Sequence, residues 1–154
     1  MKTLKRRRAQ AKTDYRARLA LLKSGMPRLV VRKTNRYIIC QIIETEITQD
    51  KVIASATSKE LLEKGWPENM KGSLKSLQAS YLTGFLLVKK LKTKPKEAVL
   101  DIGMQRSVHN SRIFAALNGA VDAGLKIMHS KEAFPQEERL NTGKIQINKI
   151  KEKL

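Results

Sequence analysis

Asp101 is the acidic residue best placed for metal-dependent chemistry, because it lies in a short apolar run, residues 98–103, just before a predicted helix. Nucleases that use two metal ions cluster several carboxylates around them. The first predicted strand, residues 28–34, contributes no acid, and one carboxylate does not build such a site. We therefore interpret Asp101 as a structural residue that caps a helix or pairs with a basic side chain.

The other residues with reactive side chains are isolated. His109 and His129 have no His-x-x-His or acidic companion pattern, so we interpret them as loop or strand-end residues, with His129 also able to touch a phosphate. The single cysteine, Cys40, excludes an internal disulfide and a cysteine-based zinc site, and its apolar neighbours predict a buried thiol. The pair Gly143-Lys144 lacks the rest of a P-loop. The sequence therefore predicts no catalytic or metal site.

Two aromatic residues are predicted to be structural. Trp66, between a glycine and a proline, either stacks on a base or anchors its loop to the core, and we favour the anchor. Tyr81 falls on the apolar face of a predicted long helix, so we assign it to the core.

Positive charge is concentrated near the N-terminus. The 154 residues include 32 Lys and Arg against 14 Asp and Glu, a formal net charge of +18. Residues 1–37 hold 13 of the cations and one acid, whereas residues 38–137 have a net charge of only +3. Phosphates neutralise a run such as Lys5-Arg6-Arg7-Arg8 and release counterions as they do so. The charge therefore predicts a nucleic-acid partner, with an anionic membrane surface as the alternative.

Length and composition limit the class of protein. The chain is long enough for one domain with extensions, and 41% hydrophobic residues suffice for a core. No apolar run approaches the roughly 18 residues of a membrane-spanning helix. The basic N-terminus also lacks the apolar stretch of a secretory signal. We expect a small, soluble, intracellular protein.

The N-terminal segment predicts a basic arm. Residues 1–12 are polar and cationic and should be disordered until they bind a partner. Residues 13–23 predict a short helix that Thr13 or Asp14 caps and Gly25 ends.

The apolar patterns after the arm predict the element order β-β-β-α-β-α-β. Five strands are predicted, at residues 28–34, 37–44, 52–57, 98–103 and 125–129. Asn35-Arg36 suits a two-residue hairpin turn between the first two strands. Helices are predicted at residues 59–64, 70–92 and 111–123.

This order predicts an α/β fold. A three-strand meander is followed by two right-handed crossovers that add parallel strands, giving a mixed five-stranded sheet with packed helices. The architecture resembles the ribonuclease H-like motif, flanked by a basic N-terminal arm. We divide the chain into an RNA-binding arm with a short helix (residues 1–25), an α/β globular domain (residues 26–131) and a C-terminal tail (residues 132–154).

Many short segments of the chain, taken together, resemble one known family. They lie at residues 6–8, 13–15, 21–25, 27–30, 32–35, 54–56, 65–66, 81–84, 99–103 and 122–125. In this order, from about residue 5 to residue 130, they resemble the universal large-subunit ribosomal protein family "L eighteen", in its archaeal type. The tail matches the family only weakly.

The resemblance implies a structural protein of the cytoplasmic ribosome that binds 5S rRNA and helps attach it to the large-subunit rRNA at the central protuberance. It implies no catalytic activity, no cofactor, no membrane association and no small-molecule substrate. The partners would be 5S rRNA, the large-subunit rRNA and neighbouring ribosomal proteins. The alternatives from other classes are a ribonuclease H-like nuclease and a basic DNA-architectural protein.

We predict two RNA-binding parts, an arm that provides affinity and a hairpin that provides specificity. Tyr15 either stacks on a base or packs against the body. The predicted arm contacts are Lys5, Arg6, Arg7, Arg8, Lys12, Tyr15, Arg16, Arg18 and Lys23. The predicted hairpin contacts are Arg28, Arg32, Lys33, Asn35 and Arg36. Further hydroxyl or imidazole contacts are predicted at Ser55, Thr57, Ser58 and His129.

Overall fold

An open, mixed β-sheet forms the centre of the computed structural model, which describes residues 3–47, 49–93, 95–141, 145 and 147–154. Its strands are β1 (Arg28–Lys33), β2 (Ile38–Glu46), β3 (Gln49–Thr57) and β4 (Val99–Asp101). The sheet order is β3-β2-β1-β4, with β1, β2 and β3 antiparallel and β4 parallel to β1. The predicted meander and the first predicted crossover are therefore confirmed.

Helices flank the sheet and extend to both ends of the described chain. The α-helices are α1 (Arg6–Ala9), α2 (Tyr15–Lys23), α3 (Leu77–Lys90), α4 (Arg112–Asp122), α5 (Glu137–Asn141) and α6 (Ile147–Lys151). Segments of 3-10 helix lie at Ser58–Lys64, Glu68–Ser73 and Lys131–Ala133. In the described part of the chain, no helix is both long enough and apolar enough to cross a bilayer.

The predicted hairpin turn between β1 and β2 is confirmed. The Thr34 amide donates to the Tyr37 carbonyl at 2.9 Å, which leaves Asn35 and Arg36 as the two turn residues. The Thr34 hydroxyl closes the same turn, because it donates to the Tyr37 carbonyl at 2.8 Å and accepts from the Tyr37 amide at 2.9 Å. The exposed end of the hairpin is thus held by its own polar groups.

The predicted fifth strand is wrong. Residues 125–129 make one parallel bridge, between Ala98 and Ile127, so the sheet has four strands in the described part of the chain. Leu125 and Ile127 are buried, but Met128 is 95% exposed. The segment therefore buries two side chains without extending a ladder beside the short β4. The ribonuclease H-like motif stays a prediction.

The long helix also begins later than predicted. Its start is Leu77, where the Ser76 hydroxyl caps the helix by accepting a hydrogen bond from the Ala79 amide at 3.2 Å. The preceding 3-10 segment is kinked at Met70, whose φ of −115° is not helical. Trp66 is buried, and its indole N–H donates to the Met70 carbonyl at 3.0 Å, so its predicted role as a loop anchor is confirmed.

Helices α3 and α4 pack with their backbones in contact and cover the sheet. A Cβ atom built on Gly84 would lie 1.9 Å from the Ala116 carbonyl oxygen, and one on Gly119 would lie 2.0 Å from the Tyr81 carbonyl oxygen. Only glycine leaves room for this crossing. Cys40 is fully buried beneath the helices, and burial raises the pKa of its thiol to about 12, as expected for an inert core residue.

The tail packs against the helical layer. Its apolar side chains Leu140, Ile145, Ile147 and Ile150 are buried in the core. On α6, the Lys151 Nζ atom lies 4.7 Å from the centre of the Tyr81 ring. Tyr81 is buried, as predicted, and its hydroxyl donates a hydrogen bond to Asp122. Burial and this carboxylate raise the pKa of the phenol above its usual value.

Candidate nucleic-acid interface

A chain of four ion pairs joins the arm helix α2 to the sheet. Arg18 Nη2 lies 2.7 Å from Asp50 Oδ2, and Arg28 Nη2 lies 2.8 Å from Asp50 Oδ1. Arg28 Nη1 is 3.0 Å from Asp101 Oδ2, and Arg32 Nη2 is 2.7 Å from Asp101 Oδ1. Three arginines and two carboxylates leave this ion chain with a net positive charge.

Asp101, at the end of β4, joins Arg28 and Arg32, the last two arginines of the ion chain. Parallel pairing places Asp101 opposite Val30, so its carboxylate lies between the side chains of Arg28 and Arg32. The Gly103 amide also donates to Asp101 Oδ1 at 2.9 Å. The prediction that Asp101 is a structural residue that pairs with basic side chains is therefore confirmed.

Asp50 connects the ion chain to the arm from β3. Burial on its own raises the pKa of the Asp50 carboxyl, but hydrogen bonds from Thr45 and Arg18 and the positive charges of Arg28 and Arg18 outweigh it. The pKa of Asp50 therefore lies below its ordinary value, and the carboxylate stays charged at neutral pH.

Two residues assigned to the RNA surface are buried, which corrects their assignment. The Arg28 side chain is 3% exposed and is engaged by Asp50 and Asp101. Ser58 is fully buried, and its hydroxyl accepts from the Ile38 amide at 3.1 Å. The alternation of side chains along a strand shows which residues share a face of the sheet. It does not show whether another element covers that face.

The arm, in contrast, presents its cations to solvent. Helix α1 has no buried residue, and α2 begins at Tyr15, after Asp14, whose carboxylate caps the helix by accepting from the amides of Arg16 and Ala17. Tyr15 is half-buried, with Lys5 Nζ 4.6 Å from its ring centre. The exposed basic residues of the arm are Lys5, Arg6, Arg7, Arg8, Lys12, Arg16 and Lys23.

The remaining predicted contacts lie on several elements. Lys33, Asn35 and Arg36 are exposed at the end of the β1–β2 hairpin, whereas the Arg32 side chain is 39% exposed and bound to Asp101.

The edge strand β3 and the segment that follows α4 hold the rest. Ser55 is exposed on β3 and Thr57 is partly buried at the strand's end. His129 is exposed, and its ring stacks on Phe134 with the ring centres 4.5 Å apart.

One groove brings part of the arm together with part of the body. It has a volume of about 650 Å³ and lies between the arm and the loop that follows β4. Its cationic lining residues are Arg7, Lys12, Arg18 and Arg32. Ser55, Thr57 and His129 do not line it. We call it the arm groove.

The structure also places together three arginines that were not selected from the sequence. Arg106, Arg112 and Arg139 line a second groove, beside Lys33. Arg106 lies on the connection from the parallel strand β4 into α4, and Arg112 is the first residue of α4, a signal that was visible in the sequence. Among the described residues, no three His, Cys, Asp or Glu side chains are grouped so as to hold a metal ion.

The comparisons with known proteins agree on one family. A family model described as "Ribosomal large subunit proteins 60S L5, and 50S L18" matches residues 1–96 and 90–130. The "Large ribosomal subunit protein uL18" of Korarchaeum cryptofilum is 52% identical over 136 residues, covering 88% of this chain and 68% of the relative. The proteins of the same name from Methanoculleus marisnigri and Aeropyrum pernix are 49% and 47% identical, over 75% and 62% of their lengths and 88% of this chain.

Proposed function

The chain belongs to the family of large-subunit ribosomal proteins 60S L5 and 50S L18, and from this membership we propose that it binds 5S rRNA and helps attach it to the large-subunit rRNA at the central protuberance. Membership confirms the resemblance found in the sequence. The chain is a structural component of the large subunit of the cytoplasmic ribosome, where it associates with rRNA and ribosomal proteins, and it is not an enzyme.

The observation that carries the proposal is the division of the basic residues into paired and free groups. Arg28 and Arg32 are held by Asp101, but the described part of the arm presents seven exposed cations, two of which, Arg7 and Lys12, line the arm groove. Free cations of this density bind phosphates and release counterions. We assign affinity for 5S rRNA to the arm.

Specificity is assigned to the hairpin end. Lys33 ends β1, and Asn35 and Arg36 form the turn that Thr34 closes with hydrogen bonds, so little freedom is lost when they contact RNA. Residues on such an ordered element can distinguish one RNA shape from another, whereas charge on an arm contacts any phosphate. Ser55, Thr57 and His129 are accessible for further contacts from the edge strand and the bridge segment.

Two variants test this division of roles. Deletion of residues 1–12 removes six cations and should weaken binding to 5S rRNA and to an unrelated structured RNA about equally. It should also flatten the slope of log affinity against log salt, by about 0.7 to 0.9 for each phosphate that the arm no longer neutralises. The double substitution Lys33→Gln and Arg36→Gln should instead lower the preference for 5S rRNA. Arg32 is left unchanged because it supports Asp101.

The matched control is Lys59→Gln with Lys64→Gln, which removes two exposed cations from the 3-10 segment Ser58–Lys64. Binding constants are measured at several salt concentrations for each variant. The proposal fails if the unaltered chain binds 5S rRNA no more tightly than the unrelated RNA. The assignment of specificity fails if the hairpin variant keeps the full preference.

A further inference from the structure

A second basic groove lies at the carboxyl ends of the parallel strands β1 and β4, beside the start of α4. It has a volume of about 560 Å³. Its cationic lining residues are Lys33, Arg106, Arg112 and Arg139, and among its described lining residues none is acidic. In open α/β sheets, ligands bind at this end of the strands. We call it the α4 groove.

The four cations of the α4 groove have no protein partner among the described residues. Arg18, Arg28 and Arg32 each face a carboxylate in the ion chain, but among the described residues no ion pair or side-chain hydrogen bond engages the cations of the α4 groove. Neighbouring positive charges without a counterion raise the local potential and favour an anion. A guanidinium group binds phosphate through two parallel hydrogen bonds, so three arginines around one groove suit a phosphorylated ligand.

Two buried polar atoms at the groove also have no partner in the described part of the chain. They are the Ser111 hydroxyl oxygen and the Gln105 side-chain carbonyl oxygen. Ser111 occupies the N-cap position of α4, yet its side chain does not cap the helix. Buried polar atoms are nearly always satisfied, so these two atoms indicate a ligand that donates and accepts hydrogen bonds.

A ribose-phosphate chain has this chemistry. The Ser111 hydroxyl can donate to a phosphate oxygen, which the positive end of the α4 dipole also attracts. A ribose 2′-hydroxyl both donates and accepts, and it can satisfy the Gln105 amide. Gln105 lines the arm groove as well as the α4 groove, so the two grooves adjoin.

We propose that the α4 groove is a second RNA site, which binds the sugar-phosphate backbone of a segment next to the one held by the arm. The proposal rests on the proposed function, because it takes the ligand to be ribosomal RNA. The hairpin residue Lys33 faces the same groove, so the site would continue the hairpin surface toward the helical layer.

The tail supports the loop beside this site and contributes one of its arginines, Arg139. The Asn110 amide donates to the Ala133 carbonyl at 3.1 Å, and His109 Nδ1 lies 3.2 Å from the Glu132 carbonyl oxygen. These contacts hold the loop before α4 in place, and α5 carries Arg139 into the lining. A site fixed before binding loses less conformational freedom when it takes up RNA. The tail therefore contributes to RNA binding as well as to the core.

The first test is a charge-removing pair, Arg106→Gln with Arg112→Gln, in the full chain. Its matched control is Lys64→Gln with Lys75→Gln, two exposed cations that line neither groove. Affinity for purified 5S rRNA and for purified large-subunit rRNA is measured against salt. We expect a loss of roughly tenfold for at least one RNA and a salt slope flatter by about 1.4 to 1.8, with no such change in the control.

Ser111→Ala separates binding from folding. Its hydroxyl has no hydrogen-bond partner among the described residues, so removing it should leave the melting temperature unchanged or slightly higher while RNA affinity falls a few-fold. A lower melting temperature with unchanged RNA affinity would mean that Ser111 serves the fold alone, and the proposal would be overturned.

A third measurement identifies the ligand directly. Amide NMR signals of Ser111 and Arg112 are followed while the full chain is titrated with a four-nucleotide oligouridylate, its deoxy counterpart, or inorganic phosphate. The proposal expects larger shifts with the ribonucleotide than with the other two probes. Shifts with inorganic phosphate but not with the oligouridylate would make the groove a site for free anions and overturn the proposal.

The two proposals fail separately. Suppose that the unaltered chain shows no preference for 5S rRNA, but Arg106→Gln with Arg112→Gln still lowers affinity for large-subunit rRNA. The proposed function then fails, and the α4 groove remains an RNA site. If the chain prefers 5S rRNA and the arginine pair changes neither affinity nor salt slope, the α4 groove is not an RNA site.

Discussion

Replacing Asp101 with asparagine should destabilise the body by about 3 kcal/mol. The substitution removes the charge that faces Arg28, whose side chain is only 3% exposed. Breaking a buried ion pair from one side costs about 3 to 5 kcal/mol, because the remaining charge stays buried. Asp50 still faces Arg28 and an asparagine oxygen can still accept a hydrogen bond, so we expect the lower end of this range.

Urea unfolding followed by circular dichroism measures this change. A loss of about 3 kcal/mol is a large part of the 5 to 15 kcal/mol that holds a domain folded. For a chain of this size it should lower the melting temperature by roughly 6 to 12 °C. The control is Glu63→Gln, an exposed carboxylate with no ion pair among the described residues, which should change stability by less than about 0.5 kcal/mol.

A double substitution distinguishes an unpaired charge from simple loss of packing. Arg28→Met combined with Asp101→Asn leaves no buried cation to compensate, so the double variant should be more stable than the sum of the two single effects predicts. Additive single effects, or a loss below about 1 kcal/mol for Asp101→Asn, would refute the reasoning. At temperatures where the single variant remains folded, we expect its RNA affinity to be unchanged.

Three further predictions concern packing, the tail and acid stability. Gly84→Ala should prevent stable folding, because its Cβ would overlap the Ala116 carbonyl, whereas Gly72→Ala, with nothing within 4 Å, should melt like the unaltered chain. Ile150→Asp should lower the melting temperature and leave the tail sensitive to protease, because it places a charge among buried side chains. Because the folded-state pKa of Asp50 lies below 3.8, its stabilisation is present above that pH and is lost as pH falls further, so Asp50→Asn should show a smaller acid-induced loss of stability in circular dichroism than the unaltered chain.

The elements set by local signals could be predicted from the sequence. The hairpin turn, the cap at Asp14 and the helix end before Gly124 each depend on residues within one turn of one another. The start of the long helix also has a local signal, the cap at Ser76, but the apolar spacing continued past it toward residue 70. Our prediction followed the periodic pattern and therefore began the helix too early.

Features that depend on distant partners were not predictable in this way. Arg28 meets Asp101, 73 residues further along the chain, and nothing near Arg28 in the sequence marks it as a buried, paired cation. The predicted fifth strand failed for a related reason. Its apolar run has the composition of a buried strand, but a strand needs a neighbour of sufficient length, and β4 has only three residues.

Topology, and not charge alone, sorts the basic residues into those that hold the fold and those that remain available. The net charge of +18 predicts a polyanionic partner, but it does not distinguish Arg28 and Arg32 from Arg112. The crossover that lays β4 parallel to β1 delivers Asp101 to the first two and leaves the third at an open groove. This crossover was predicted from the order of the elements. Ligands bind at the carboxyl ends of such strands, so the cations between β4 and α4 and at the start of α4 were predictable candidates for binding.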